Sequence, residues 1–512
     1  MKKIFSTLAV FLVIIFAVVG CSSTPKTTDN GSSSTTAAAT TAKQEAYTAK
    51  VAWLILTNPP ADLQAVTDEI NKITLEKINV KVDLDPIPMA NWFTQTNLML
   101  SSGEKLDLAI VYNKDGLFSN HVATGKLLPI DDLLAQHGQG IVNAISGLNP
   151  LYLVPGKVSG KTYGVTQLRD LATTQGLCCR KDIADKVGLD TTKLLSITEL
   201  ETILEKVKAQ YPDIVPLVPF NVGGTIAGGF YNIDKLGDTM GVLQNFGQDN
   251  TKIVNYFETP EYANLVKTMY AWYKKGYILA DATTNTNNGV SLVKSGKAFG
   301  FVSTQKPGFA NQETQQTGFE MYAVDMVKPY TNTNQVNNFL WTIPTNCKDP
   351  VSAMKLLNLM YTDVDVANLI VWGIEGKHYV KTAENPNVIT YPEGIDSSNT
   401  GWGLNLGWEM GNQFITHIWK GDDPELWKQL AEFDKSAVQS KAMGFVFDSS
   451  KVKSQMTAVK NVMDQYIPGL EDGQSDPEKV LPKFISDLKA NGIDDIIKEK
   501  QTQLDAYIAS SK

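Results

Sequence analysis

Residues 51–60 read VAWLILTNPP: six apolar residues, then Thr57, Asn58 and two prolines. An apolar run this short, halted by turn formers, reads as a buried strand. Beyond it, Leu63, Val66, Ile70 and Ile73 recur at helical spacing in an otherwise polar stretch. Val80, Val82 and Leu84 then alternate with Lys81 and Asp83, the period of a strand. Strand, helix and strand in this order imply a parallel pair joined by a right-handed crossover. A further helical stretch, Trp92 to Leu100, leads into Leu106–Tyr112 as a third strand. The first 130 residues therefore read as half of a doubly wound α/β lobe.

Farther along, the pattern changes partners. Lys161–Val165 and Gly176–Arg180 read as extended pieces, the latter carrying the adjacent Cys178 and Cys179 in a buried strand. Ser196-Ile-Thr-Glu199 has the spacing of a capping box and opens a helix with Leu200, Ile203, Leu204 and Val207 on one face. Thr259-Pro260 opens another, with Tyr262, Leu265, Met269 and Trp272 inward. Ala298–Val302 is strand-like. Alternation resumes with strands at Phe319–Val324 and Asn338–Ile343 and a helix opened by Asp349-Pro350. The last hundred residues read as mostly helical. We expect a first lobe from 47–165 and 305–370, and a second from 166–304 and 371–512.

In the other direction the chain loses its core signal. Ser22–Ala46 contains no aromatic and no large aliphatic residue, so it cannot offset its ordering entropy and is expected to be a disordered tether. Before it, Met1-Lys2-Lys3 is basic and Ile4–Val19 is apolar except for Ser6 and Thr7. That stretch is shorter than the ~20 residues of a membrane span and ends in small residues, the layout of a signal peptide over 1–20. Val18-Val19-Gly20-Cys21 resembles a bacterial lipobox, which makes Cys21 the expected lipidation site and places the protein on the outer face of a cell membrane.

Net charge is −8 with a pI near 5.3, and no Lys/Arg cluster stands out, so nucleic-acid binding is not expected. Cys178, Cys179 and Cys347 do not make a disulfide framework, and the four histidines lie far apart. No metal or cofactor is expected. The sequence has no nucleophile elbow, P-loop or dinucleotide-binding glycine pattern, and Gly223–Gly229 lacks the lysine of a phosphate loop.

Several stretches carry a resemblance: LMLSSGEKLDLAIVY (98–112), GKLLPIDDLL (125–134), GLCCRKDIADKVGLD (176–190), DPVSAMKLLNLMYTD (349–363) and GIEGKHYV (373–380). In this order they resemble extracellular solute-binding proteins of the sugar type, the lipoprotein receptors of ABC importers. GWEMGNQFI (407–415) and the C-terminal run resemble a Gram-positive subgroup with a long C-terminal domain. Cys178-Cys179 departs from the bulkier residues usual in relatives. The resemblance implies a two-lobed periplasmic-binding-protein-like α/β fold of the maltose-binding type, with the ligand in a cleft between lobes. It further implies a monomer that passes a carbohydrate to membrane permease subunits, not an enzyme.

Sugars offer apolar ring faces and polar hydroxyl edges, so a sugar site needs flat aromatic rings beside short polar groups. In open α/β sheets such a site gathers after the carboxyl ends of strands. The candidates on that basis are Asn58, Tyr112, Asn113, Arg169, Asp170, Trp341, Trp372, Glu375, Trp402 and Trp408. Arg169 and Asp170 read equally as a hinge ion pair, while Trp53, Trp272 and Trp427 read as core. Two other readings stand beside the carbohydrate receptor: a binding protein for a peptide or other polar solute, and a surface enzyme acting on glycans. The latter would need two carboxylates converging across a cleft.

Overall fold

A computed structural model describes residues 45–56, 58–112, 117–403 and 406–510. The expected signal peptide, the tether up to residue 44, Cys21 and Asn113 lie outside them. Ala46–Lys512 form one compact unit.

The β-α-β opening is present. Strand β1 (Tyr47–Ile55) and helix α1 (Leu63–Ile78) lead to β2 (Val80–Pro88), which pairs parallel to β1 from Tyr47↔Val80 to Ile55↔Pro88. The strand β2 runs on through Pro86 and Pro88. That is possible because it is an edge strand, where a missing N–H breaks no ladder. Helix α2 (Met89–Ser102) returns the chain to β3 (Leu108–Tyr112), on the other side of β1. Every residue of β3 is buried, as expected for a parallel strand covered on both faces.

The first crossing follows β4 (Gly164–Thr166). Beyond it lie β5 (Thr174–Arg180), α3 (Ile197–Gln210), β6 (Val215–Leu217), α4 (Pro260–Lys274), β7 (Ala298–Gln305), α5 (Phe309–Thr317) and β8 (Met321–Asp325). The capping box is formed: Ser196 Oγ accepts from the Glu199 N–H, and Glu199 accepts from the Ser196 N–H at 3.0 Å. Cys178 and Cys179 sit in β5, fully buried and in different hydrophobic clusters. Gly300 faces them across the ladder, where a Cβ would stand 2.4 Å from the Cys178 carbonyl oxygen.

A second crossing carries α6 (Thr333–Asn337) and returns to β9 (Phe339–Thr342), which pairs antiparallel with both β3 and β4. Then come α7 (Pro350–Thr362), α8 (Val364–Trp372), α9 (Leu426–Ser436) and the C-terminal helices α10 (Lys453–Glu471), α11 (Pro477–Ala490) and α12 (Ile493–Ser510). The first sheet has the order β2-β1-β3-β9-β4 and the second β8-β5-β7-β6. Each lobe has its own buried cluster.

Two expectations about the lobes need correction. Phe319–Val324 does not return to the first lobe: β8 pairs antiparallel with β5 from Met321↔Arg180 to Asp325↔Gly176, at the edge of the second sheet. The segment after residue 371 does not go directly to the second lobe. Trp402, Leu406 and Met410 complete the first lobe's core, and the chain joins the second core only at Ala442. Local pattern identifies a strand or an apolar loop, but not the sheet that receives it.

Candidate functional site

The lobes meet at a hinge of paired segments. Thr173 and Tyr330, one from each crossing, exchange backbone hydrogen bonds at 3.0 and 2.8 Å. A third segment, Val438–Gln439, pairs parallel with Tyr330–Thr331. Two carboxylates flank Leu171 here. Asp170 pairs with Arg169 Nε at 2.7 Å and with Lys306 at the end of β7. Burial would raise the Asp170 carboxyl, but the two cations outweigh it and hold it down at about 2.

Asp434 on α9 behaves in the opposite way. Its Oδ1 accepts from the Ala172 N–H of the first crossing and from the Tyr152 hydroxyl, which also bonds Thr331 Oγ1 of the second. Burial, aided by the negative charge of Asp170, pushes this carboxyl up to about 7 despite the Ala172 hydrogen bond. The unfolded chain loses that proton near 3.8. Stability from Asp434 is therefore full below about pH 4, declines as pH rises, and levels off above about pH 7. Asp434→Asn should remove this slope. Urea unfolding across that range should show the variant gaining on the wild type with rising pH. A constant difference between them would mean that Asp434 does not titrate there.

Above the hinge lies a cavity of ≈ 640 Å³. Five tryptophans line it: Trp372 at the end of α8, Trp402, Trp408, Trp419 and Trp427. Their rings are fixed by their own polar edges. Trp372 Nε1–H donates to the His417 carbonyl at 3.1 Å, Trp402 to Ile370 at 3.1 Å and Trp427 to Thr416 at 2.7 Å. Trp372 and Trp419 stand 5.4 Å apart at 32°, and Tyr391 meets Trp419 edge-on at 4.6 Å. Arg169 lies 5.8 Å from the Trp408 ring, within cation–π reach. Opposite, the second lobe presents Lys306 and three exposed or partly exposed amides of α5, Gln312, Gln315 and Gln316. Aromatic rings and amide hydrogen bonders in the wall of one cavity suit a polyhydroxylated ligand.

The structure therefore brings Arg169, Asp170, Trp372, Trp402 and Trp408 to one cavity, although Trp402 is only 3% exposed and shows little more than an edge. Of the other candidates, the four among the described residues sit elsewhere. Trp341 is fully buried in the inner strand β9, so its placement in a cleft is corrected to the core. Glu375 points to solvent and pairs with Lys381 at 2.9 Å, outside the cavity wall. Tyr112 is buried, ringed by Phe93 at 5.1 Å and Phe339 at 4.5 Å, with its hydroxyl on Met89 Sδ at 3.8 Å. Burial raises its phenol. Asn58 is exposed on the loop after β1 and is not part of the wall.

Sequence reasoning missed Trp419, Trp427, Lys306 and the α5 glutamines. Trp427 lies on a helix at core spacing in the sequence, but the core stripe of that helix is carried by Leu426 and Leu430. It sits one position off that stripe, in the first helical turn, half-buried. Five of nine tryptophans falling between 372 and 427 was the available signal. Among the described residues, no group of three or more His, Cys, Asp or Glu could hold a metal ion, and no helix is long and apolar enough to cross a membrane.

Two α/β lobes, hinged by crossing segments and facing each other across a polar, tryptophan-walled cavity, define a solute-binding protein. The bacterial extracellular solute-binding protein family matches residues 65–373, over half of the chain, and the chain belongs to that family. A domain of unknown function (DUF3502) matches residues 441–509, the C-terminal helical segment. The chain is similar to a carbohydrate ABC transporter substrate-binding protein of Streptococcus pneumoniae serotype 4, 29% identical over 473 residues, covering 88% of this chain and 90% of that protein. It is 24% identical to lipoprotein LipO of Bacillus subtilis over 64% of this chain and 66% of that one. Among solved structures, the N-glycan transport solute binding protein NgtS of S. pneumoniae superposes with a TM-score of 0.79 at 24% identity, covering 91% of this chain and 100% of that chain. NgtS in complex with Man1GlcNAc superposes at 0.68, covering 90% and 99%.

Proposed function

We propose that this protein is the monomeric, lipid-anchored receptor of an ABC importer, which captures an oligosaccharide between its lobes and delivers it to the membrane permease. One observation carries the reading: five tryptophans, three of them pinned by their indole N–H groups, line one cavity together with the amides of α5 beside the hinge. Three of the rings are held in place by hydrogen bonds to the fold itself, which lowers the ordering cost of binding. The pneumococcal relative described as a carbohydrate receptor and the NgtS complexes with mannose-containing ligands support the same ligand class. In this role the protein alters no covalent bond.

A thermal-shift screen of oligosaccharides, followed by calorimetry and analysis of the recovered sugar, tests the reading. A ligand at about 100 times its Kd should add about 2.7 kcal/mol of stability and be recovered intact. Recovery of cleaved sugar would replace the receptor by an enzyme, and stabilisation by peptides alone would replace the ligand class. Ligand can favour a closed form only by contacting both lobes better there. Small-angle scattering should therefore show a smaller radius of gyration at saturation, and no contraction would count against closure.

The anchor rests on Cys21. A lipidated cysteine with two or more acyl chains holds a protein firmly to a membrane. Cys21→Ala should release the protein to the medium or block its processing. Equal membrane retention of both forms in fractionation would sink the lipoprotein assignment.

A further inference from the structure

A second cavity, ≈ 730 Å³, opens where the second crossing meets the C-terminal helices. Its wall contains Lys235, Asn334, Asn337, Asn338 and Thr457, and no tryptophan or tyrosine among the described residues. It is not remote from the tryptophan cavity. Asn338 directly precedes Phe339, whose ring stands 5.0 Å from Trp408, a wall residue of the first cavity. Phe339 also touches Tyr112, which touches Phe93, itself 40% exposed. Phe339 thus connects the two walls, with Trp408 of the first cavity against its ring and Asn338 of the second directly before it.

The charges in this second wall are not balanced. Asp238 is matched by the fully buried Lys500 at 2.7 Å, and Asp464 by Lys460 at 2.6 Å. Two wall lysines make no ion pair among the described residues: Lys453, which is exposed, and Lys235, which is partly buried; Lys235 is the one that burial desolvates. Its ammonium stands 5.8 Å from the Tyr231 ring, and burial pulls it below its ordinary value. Glu471 alone opposes that pull, and Glu471 is itself buried, driven toward its neutral form and already engaged by Thr225, Tyr231 and Tyr262. Asn337, 4% exposed, donates to the Phe445 carbonyl at 3.0 Å, while its amide oxygen has no partner. A buried acceptor without a donor carries a desolvation cost that a hydroxyl would relieve. An unmatched cation beside an unmatched acceptor calls for a group bearing both a carboxylate and hydroxyls.

We propose that this cavity is a subsite for an acidic sugar at the far end of the captured oligosaccharide, its carboxylate on Lys235 and a hydroxyl on the Asn337 amide oxygen. The proposal rests on the carbohydrate reading above and makes the ligand extended rather than compact. It also gives the C-terminal segment a role in ligand choice, because Thr457 and Lys460 of α10 form part of the wall.

The test compares two probes by calorimetry: an N-glycan oligosaccharide capped with N-acetylneuraminic acid, and the same oligosaccharide after removal of the cap. The capped probe should bind wild type at least about tenfold tighter, with an advantage that shrinks as salt rises. Lys235→Gln should bind both probes alike at an unchanged melting temperature, and Thr457→Ala should lose a smaller part of the advantage. Trp419→Ala should weaken both probes equally. If the uncapped probe binds and the cap adds nothing, or if the advantage survives Lys235→Gln, the subsite is wrong while the carbohydrate reading stands. If neither probe binds, both fall together.

Discussion

Trp341→Ala is expected to lower the stability of the unliganded protein by about 3–5 kcal/mol, the usual cost of deleting a large buried aromatic. Trp341 has 0% exposure in the first sheet, on the inner strand β9 between β3 and β4. Its ring centroid lies 5.9 Å from that of Trp53, and its Nε1–H donates to the Glu409 carbonyl at 3.0 Å. Truncation leaves a void and removes that carbonyl's donor. Glu409 matters here as well, because its buried side chain accepts the Leu54 N–H of β1 at 2.9 Å, tying residues 407–410 to the sheet. The loss should appear in urea unfolding as a lower midpoint at an unchanged slope. Ligand affinity of the folded fraction should stay within a few-fold of wild type. Normal stability with abolished binding would return Trp341 to the cleft.

That contrast shows where sequence reading works. The stretch from Val51 to Leu84 is legible because strand and helix periods differ and the turn between them is marked by prolines. The capping box at Ser196 and the Pro-led starts at 260 and 350 are legible because they depend on residues within one turn. Sheet membership depends on long-range pairing, so β8 could be recognised as a strand yet placed in the wrong lobe. For the candidate site, Arg169 and Asp170 are legible as residues that follow the crossing segment, and the structure pairs them with each other and Asp170 with Lys306 at the hinge. Trp341 and Trp427 were exchanged in role. A tryptophan in a strand and one in a helix look alike in sequence, and only the packing shows which face is covered. Lys306 and the α5 glutamines had no signal, since exposed polar residues on a short helix are the common case.

Trp372→Ala and Trp419→Ala should each weaken oligosaccharide binding at least about tenfold, which is about 1.4 kcal/mol. Both rings are partly exposed and line the same cavity, so truncation removes contact area for ligand more than packing for the fold. The melting temperature without ligand should change little, the reverse of Trp341→Ala. The two rings lie 5.4 Å apart at 32°, close enough to share one sugar face. Their effects should therefore not add: with Trp372 gone, Trp419 loses its neighbour and some of its fixed orientation, and the double variant should lose less than the sum of the singles. Trp372 carries a further constraint, because its Nε1–H holds the His417 carbonyl at 3.1 Å and thereby the segment that presents Trp419. Trp372→Phe, which keeps an aromatic face but loses that hydrogen bond, should recover part of the affinity. Calorimetry on the four variants and a thermal melt of each decide the matter. If both single variants bind the oligosaccharide as tightly as wild type, the tryptophan wall is not the ligand platform and the carbohydrate reading loses its structural support. If binding falls only in proportion to a lowered melting temperature, the rings hold the fold and the ligand contacts lie elsewhere in the cleft.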